Sequence, residues 1–157
     1  MSASETDAST LAASFSIEFE ADNGTVPPPF RRSLRIDIDA EGRGRVTRQI
    51  GYNVSDAANR IEIDFAPASE ALSALARLID RLNVFEHNWA RAEDTPTGGP
   101  LTYLSIQRGA TRVRIPPYPL DALRAAADSL RSAVRELLPA EAIARYRAWE
   151  QAHGGEE

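Results

Sequence analysis

Three stretches of this chain alternate apolar and polar residues one for one, and this pattern constrains the fold more than any other feature. Phe15, Ile17 and Phe19 alternate with Ser16, Glu18 and Glu20. Leu34, Ile36 and Ile38 alternate with Arg35, Asp37 and Asp39. Ile61, Ile63 and Phe65 alternate with Arg60, Glu62 and Asp64. A period of two sends the apolar set to one face of a strand and the polar set to the other, so each stretch predicts a half-buried strand with one wet face. Such strands need a cover on the apolar side only, which favours an antiparallel sheet packed against helices.

The rest of the pattern supplies turns and helices. Glu41-Gly42-Arg43-Gly44 is a turn into a strand carrying Val46 and Ile50, and Gly109-Ala110 joins a strand at Leu101–Ile106 to Val113 and Ile115. Both read as hairpins. Pro116-Pro117 ends the last strand, because neither residue donates to a ladder. Leu72, Leu75, Leu78, Ile79 and Leu82 recur at helical spacing, with Ser69 placed as an N-cap and Asn83 as the stop. Leu123, Ala127, Leu130, Val134 and Leu137 predict a second helix, the longest, with Asp121 near its positive end. Pro139 opens a short third helix with Ile143, Tyr146 and Trp149 on one side. The expected fold is a two-layer α+β sandwich: a mostly antiparallel sheet of about six strands with two or three helices on one face. Residues 1–13 are expected as a mobile tail, 14–150 as one domain and 151–157 as a second tail.

Composition excludes several classes. With 157 residues the chain has room for one hydrophobic core. It has no Cys, which removes disulfide frameworks, thiolate metal sites and cysteine nucleophiles. No apolar run is long enough to span a membrane, and the first residues lack the basic and apolar regions of a secretory signal, so the cytoplasm is the expected compartment. All 18 cationic side chains are Arg and none is Lys, yet the net charge is -5, which argues against a nucleic-acid binder with a broad basic face.

Familiar chemistry does not emerge from the polar residues. His87 and His153 have no second imidazole at ligand spacing. Asp37, Asp39, Glu41 and Gly42 imitate the start of a calcium loop, but the twelfth position is Arg48, of the wrong charge. Glu18 with Glu20 and Glu62 with Asp64 share strand faces as solvated polar sets require. Gly98-Gly99 and Gly42-Arg43-Gly44 lack the strand-to-helix context of a phosphate-binding loop. Ser69, Ser105 and Ser129 lack a nucleophile elbow. The expectation is a chain with no catalytic residues, no metal and no cofactor.

Two binding surfaces remain. Arg35, Arg43, Arg45, Arg48, Arg108, Arg112 and Arg114 lie on predicted hairpins and are candidates for binding nucleic acid or an acidic partner, with Tyr52, Tyr103 and Tyr118 as stacking platforms. The competing reading pairs these Arg with Asp37, Asp39, Glu62 and Asp64 on strand faces. The Pro-rich loops at 26–30, 94–100 and 116–119 are the second surface, with Phe30, Trp89, Tyr118 and Trp149 as aromatic anchors for a protein partner.

The run from Leu72 through Phe85 to Trp89, the strands at 101–115, Pro116-Pro117 and the Leu-rich helix after them resemble small bacterial proteins of mostly unknown function. Among these they are most similar to the emfourin-type inhibitors of thermolysin-like zinc proteases. The resemblance covers residues 32–138 in element order and rests on spacing. The strand at Phe15, the polyproline segment and the chain after Leu138 depart from it, and it assigns no inhibitory residue. It implies a small α+β inhibitor that occupies a protease cleft without itself carrying metal. The resulting expectation is a non-catalytic protein-binding module of protease-inhibitor type, monomeric or homodimeric, with an unidentified protein partner. A nucleic-acid-associated regulator using the Arg-bearing hairpins is the first alternative. A small enzyme with an acidic site at Asp37, Asp39, Glu62 or Asp64 is the second.

Overall fold

The computed structural model of the chain describes residues 15–24, 26–27, 30–52, 57–93, 95 and 99–154. The expected first tail, residues 1–13, lies outside them. Six strands form one sheet: β1 (Phe15–Asp22), β2 (Arg32–Ile38), β3 (Gly44–Ile50), β4 (Arg60–Phe65), β5 (Leu101–Arg108) and β6 (Thr111–Ile115). Their order is β4-β3-β2-β1-β5-β6, and every neighbouring pair is antiparallel. Among the described residues three α-helices accompany the sheet: α1 (Ser69–Arg81), α2 (Arg124–Arg135) and α3 (Ala140–Gly154). The chain is therefore an α+β protein built on one antiparallel six-stranded sheet, as the alternating runs require.

The register explains why one face is dry. Phe19 pairs with Ile36 on one side and Leu104 on the other, Ile36 pairs with Val46, and Val46 with Ile63. This apolar row crosses five strands, and its neighbours Ile17, Ile38, Ile106 and Leu34 are buried with it. Leu72, Leu75 and Ile79 of α1 and Ala127, Leu130 and Val134 of α2 close over the same face and join the same core. The opposite face bears Glu18, Glu20, Arg35, Asp37, Arg45, Glu62 and Asp64, and no helix among the described residues covers it. Burial on one side only is the physical meaning of a period-two pattern.

Strand order is the feature that local pattern does not carry. After β4, at one edge of the sheet, the chain passes through α1 and re-enters as β5 beside β1, on the far side of three strands. Phe15, Asp39–Gly44, Phe65 and Arg108–Thr111 consequently share one end of the sheet. The connections at 22–32, 50–60 and 99–101, with 115–120, share the other.

Local details differ from expectation in four places. Ser69 is the first residue of α1, and the cap position is Ala68, extended at φ -62°, ψ 138°, with no side-chain cap. Asn83 does stop that helix, adopting the left-handed conformation at φ 52°, which Asn tolerates better than most residues. The longest helix is α3, 15 residues against 12 in α2. Asp121 opens a single 3-10 turn, and α2 starts at Arg124, which Asp121 pairs at 2.6 Å. Residues 151–154, expected in a tail, continue α3.

Candidate functional site

The seven Arg singled out from sequence do not form one surface. Residues two apart on a strand share a face, and the register places Arg48 and Arg108 on the helix side of the sheet. Arg48 donates to Glu150 of α3 at 3.2 Å and lies 5.8 Å from the Tyr146 ring centroid. Arg108 donates to Asp80 of α1 at 3.0 Å and covers the Phe85 ring at 5.2 Å. Both tie helices to the sheet and are removed from any common basic face. Their alternation with outward polar residues hid this, since an Arg at the margin of an apolar face keeps its head near water.

Arg35, Arg45, Arg112 and Arg114 do share the open face, but among carboxylates. Arg35 meets Asp37 at 2.9 Å, Glu20 at 3.8 Å and Glu18 at 3.9 Å. Arg45 meets Asp64 at 2.7 Å and Glu62 at 3.6 Å. Arg112 reaches across β5 to Glu18 at 3.0 Å. Arg114 stacks on Tyr103, 4.9 Å from its centroid. At the turn between β2 and β3, Arg43 pairs with Glu41 at 2.7 Å and Asp39 at 3.3 Å. Signs alternate across the face, so no continuous positive stripe faces a phosphate backbone. Two of the three tyrosine platforms are stacked by the chain's own guanidinium groups, because Arg31 covers Tyr52 at 4.6 Å as Arg114 covers Tyr103.

A depression of about 740 Å³ at the end of the sheet near the β2–β3 turn is lined by Asp37, Asp39, Arg43, Gly44, Arg45, Asp64 and Phe65. It gathers three of the four acids on which an acidic enzyme site would be centred. Backbone amides of Arg43 and Glu41, with the Arg43 guanidinium, hold the Asp39 carboxyl below the usual carboxylate range. A hydrogen bond from Arg45, and its charge, do the same to Asp64. A general acid working near neutral pH needs the opposite shift. Among the described residues, no three His, Asp or Glu side chains converge so as to hold a metal ion, and no helix is long and apolar enough to cross a membrane.

The other end of the sheet has a different character. Among the described residues, the large apolar side chains left exposed are Phe30 (55%), Tyr52 (46%) and Leu120 (39%). Phe30 precedes β2, Tyr52 follows β3 and Leu120 follows β6, so all three stand in connections that leave this end. Specific bonds fix the connections to one another. The Tyr52 hydroxyl donates to the Val26 carbonyl at 2.7 Å and accepts from its amide at 3.2 Å. The Asn23 side chain donates to Phe30 O and accepts from Arg32 N, at 2.8 and 2.9 Å. Gly51 N donates to Arg31 O at 2.9 Å, and Ala92 N to Tyr118 O at 2.8 Å. Gly24, at φ 93°, leaves room for the backbone of Gly99, where any β-carbon would collide. The three Pro-rich loops picked out in the sequence thus converge here, although Pro28, Pro29, Asp94, Pro96, Thr97 and Gly98 lie outside the described residues.

Of the four predicted anchors, Phe30 alone is exposed. Tyr118 is half-buried, its hydroxyl 3.4 Å from Pro100 O. Trp89 packs against the core and donates its indole N–H to Val84 O at 2.8 Å. Trp149 is half-buried on α3 and stacks on His153 at 5.1 Å. Leu120 was not anticipated. Its sole signal was its position after Pro119, since an isolated apolar residue in a loop has no periodicity to read.

Compared with protein-family models, the chain matches none, and no curated protein matches it in sequence.

Proposed function

We propose that the chain is a non-catalytic protein-binding module that docks its partner through the loop end of the sheet. The observation that carries this reading is the segregation of Phe30, Tyr52 and Leu120 to that end. Exposed large apolar groups on one end of the sheet, in connections tied by hydrogen bonds, are what a docking surface needs: anchors to bury, and little entropy to lose. The charge pattern supports it, since a mixed-sign open face suits neither a nucleic-acid backbone nor an acidic active site. A sharper form, inhibition of a thermolysin-like zinc protease, rests on the resemblance in element order. The proposed compartment is the cytoplasm, and the proposed state is a monomer or homodimer.

The test is a tagged pull-down from native lysate with nuclease and about 0.5 M salt, where exposed charge contacts are screened. The unsubstituted chain is compared with the Phe30→Ala/Tyr52→Ala/Leu120→Ala variant. A stoichiometric protein retained by the first and lost by a variant with unchanged circular dichroism supports the reading. Equal retention by both sinks it. Titration against a thermolysin-like protease then decides the inhibitor form, for which stoichiometric loss of proteolysis is expected.

A further inference from the structure

The two margins of the sheet carry opposite charge. On the open face β6 presents Arg112 and Arg114 at one margin, and β4 presents Glu62 and Asp64 at the other, all four exposed. One row of the register crosses all six strands, from Arg114 through Ser105, Glu18, Asp37 and Arg45 to Asp64. It begins on a cation and ends on an anion. On the helix side the same margins carry Val113 with Ile115, and Ile61 with Ile63. Ile115 and Ile63 are buried, whereas Val113 and Ile61 are only half-buried. Among the described residues, backbone hydrogen bonds tie 61–65 to β3 alone and 111–115 to β5 alone, so each strand has one open ladder.

Each margin is guarded against its own kind and suited to the other. Two β6 margins paired antiparallel about Val113 would set Arg112 opposite Arg114. Two β4 margins would set Glu62 opposite itself or, about Ile63, opposite Asp64. Like charges directly opposite destabilise a strand pair. A β6 margin against a β4 margin has no such conflict. Every neighbouring pair in the sheet is antiparallel, so β6 runs opposite to β4. A second copy set beside the first in the same orientation therefore continues the sheet antiparallel, with open face beside open face and helix face beside helix face. In the register that sets Arg114 opposite Glu62, Arg112 falls opposite Asp64, Val113 opposite Ile63 and Ile115 opposite Ile61. Pro116, which has no amide hydrogen, ends this ladder. Both half-buried aliphatic side chains gain an apolar neighbour. Arg114, which stacks on Tyr103 and meets no carboxylate among the described residues, gains one.

We propose that the chain binds a second copy of itself through this junction, β6 of one copy against β4 of the next. The contact is head-to-tail, so a dimer keeps one margin of each kind and growth continues past it. This surface is separate from the loop end, and it does not depend on what Phe30, Tyr52 and Leu120 bind.

The experiment is sedimentation velocity on the full chain over about 5–500 µM at about 0.05 M salt, where charge contacts are least screened. The weight-average mass of the unsubstituted chain is expected to rise with concentration to more than twice that of the monomer. Arg112→Glu/Arg114→Glu makes both margins acidic, and Glu62→Arg/Asp64→Arg makes both basic. Each variant alone, with unchanged circular dichroism, is expected to stay monomeric, and an equimolar mixture of the two is expected to regain association. Amide hydrogen exchange of the unsubstituted chain is expected to slow at 61–65 and 111–115 at the high concentration, with β1 unchanged. The Phe30→Ala/Tyr52→Ala/Leu120→Ala variant is expected to associate as the unsubstituted chain does. A monomer at every concentration, growth that stops at a dimer, or association by either charge-reversed variant alone overturns the proposal. So does a mixture that stays monomeric, or exchange that slows elsewhere than at the two margins. Loss of association in the Phe30, Tyr52 and Leu120 variant also overturns it, since the copies then meet through the loop end.

Discussion

Gly44 shows how one residue type is fixed by packing. A β-carbon there would lie 2.5 Å from the Phe65 ring, on the neighbouring strand directly opposite. Gly44→Ala therefore forces the ring to move, and chemical denaturation should show a loss of about 1–3 kcal/mol. Sequence marked Gly44 only as a turn residue, because the ring that needs the space comes from 21 positions away. Asp39 makes a different kind of local commitment. Its folded carboxyl titrates below the ordinary value, so its stabilisation is full above about pH 4, the unfolded Asp range, and is lost as the pH falls through the folded value. The stability gap between the unsubstituted chain and Asp39→Asn, measured by urea unfolding, should be present at neutral pH and close on acidification below that range. A gap that widens in acid contradicts the assignment.

β1 and β2 were legible from their alternation because each keeps its dry and wet faces along its length, whereas β3 buries Gln49 and β5 buries Ser105 on the outward side. β1 is the clearest: Phe15, Ile17 and Phe19 are all essentially inaccessible, while Glu18 and Glu20 face solvent. It is bonded on both sides, to β2 and β5, so its core residues are surrounded. Phe19→Ala should cost about 3–5 kcal/mol in denaturant unfolding, whereas Val113→Ala on the edge strand β6, half-buried, should cost less than half of that. Comparable losses would mean that the edge strand is as well packed as the centre. Helix limits were read less well than strands. Capping by Ser69 was expected on residue preference, but the chain enters α1 through Ala68 with no side-chain cap, and burial of Leu72, Leu75 and Ile79 holds the helix instead. α3 was read as short because its residues lack a clear apolar stripe. Its far end is held by an ion pair to Arg32 and Arg48, more than one hundred positions away, which no local window contains.

At the scale of the whole molecule, the alternating charges of the open face are mutually neutralising rather than projecting. Most of these pairs are exposed and screened by water, so each contributes little. Raising sodium chloride from about 0.1 to 1 M should therefore shift the unfolding free energy by no more than about 1 kcal/mol. A larger drop would show that the face acts as a cooperative network. The same neutrality separates the two ends of the sheet in character. The end near the β2–β3 turn is ionic, with Asp39, Arg43, Arg45 and Asp64 around its depression, and the other is apolar, with Phe30, Tyr52 and Leu120. Docking through the second is predicted to resist salt, and that is why salt is built into its test.

The sequence by itself determined the class of fold, both hairpins, the residues of the dry face and the stop at Asn83, because each of these follows from interactions among residues close along the chain. Only the tertiary structure decided the strand order, which faces Arg48 and Arg108 serve, and the gathering of three Pro-rich loops at one end. The crossover through α1 that carries the chain from β4 to the far side of β1 sets β5 beside β1, and no local pattern encodes its destination. Charge pairing was expected in kind but not in its partners. Register set the partners on the sheet, and the docking of helices set those of Arg32, Arg48 and Arg108.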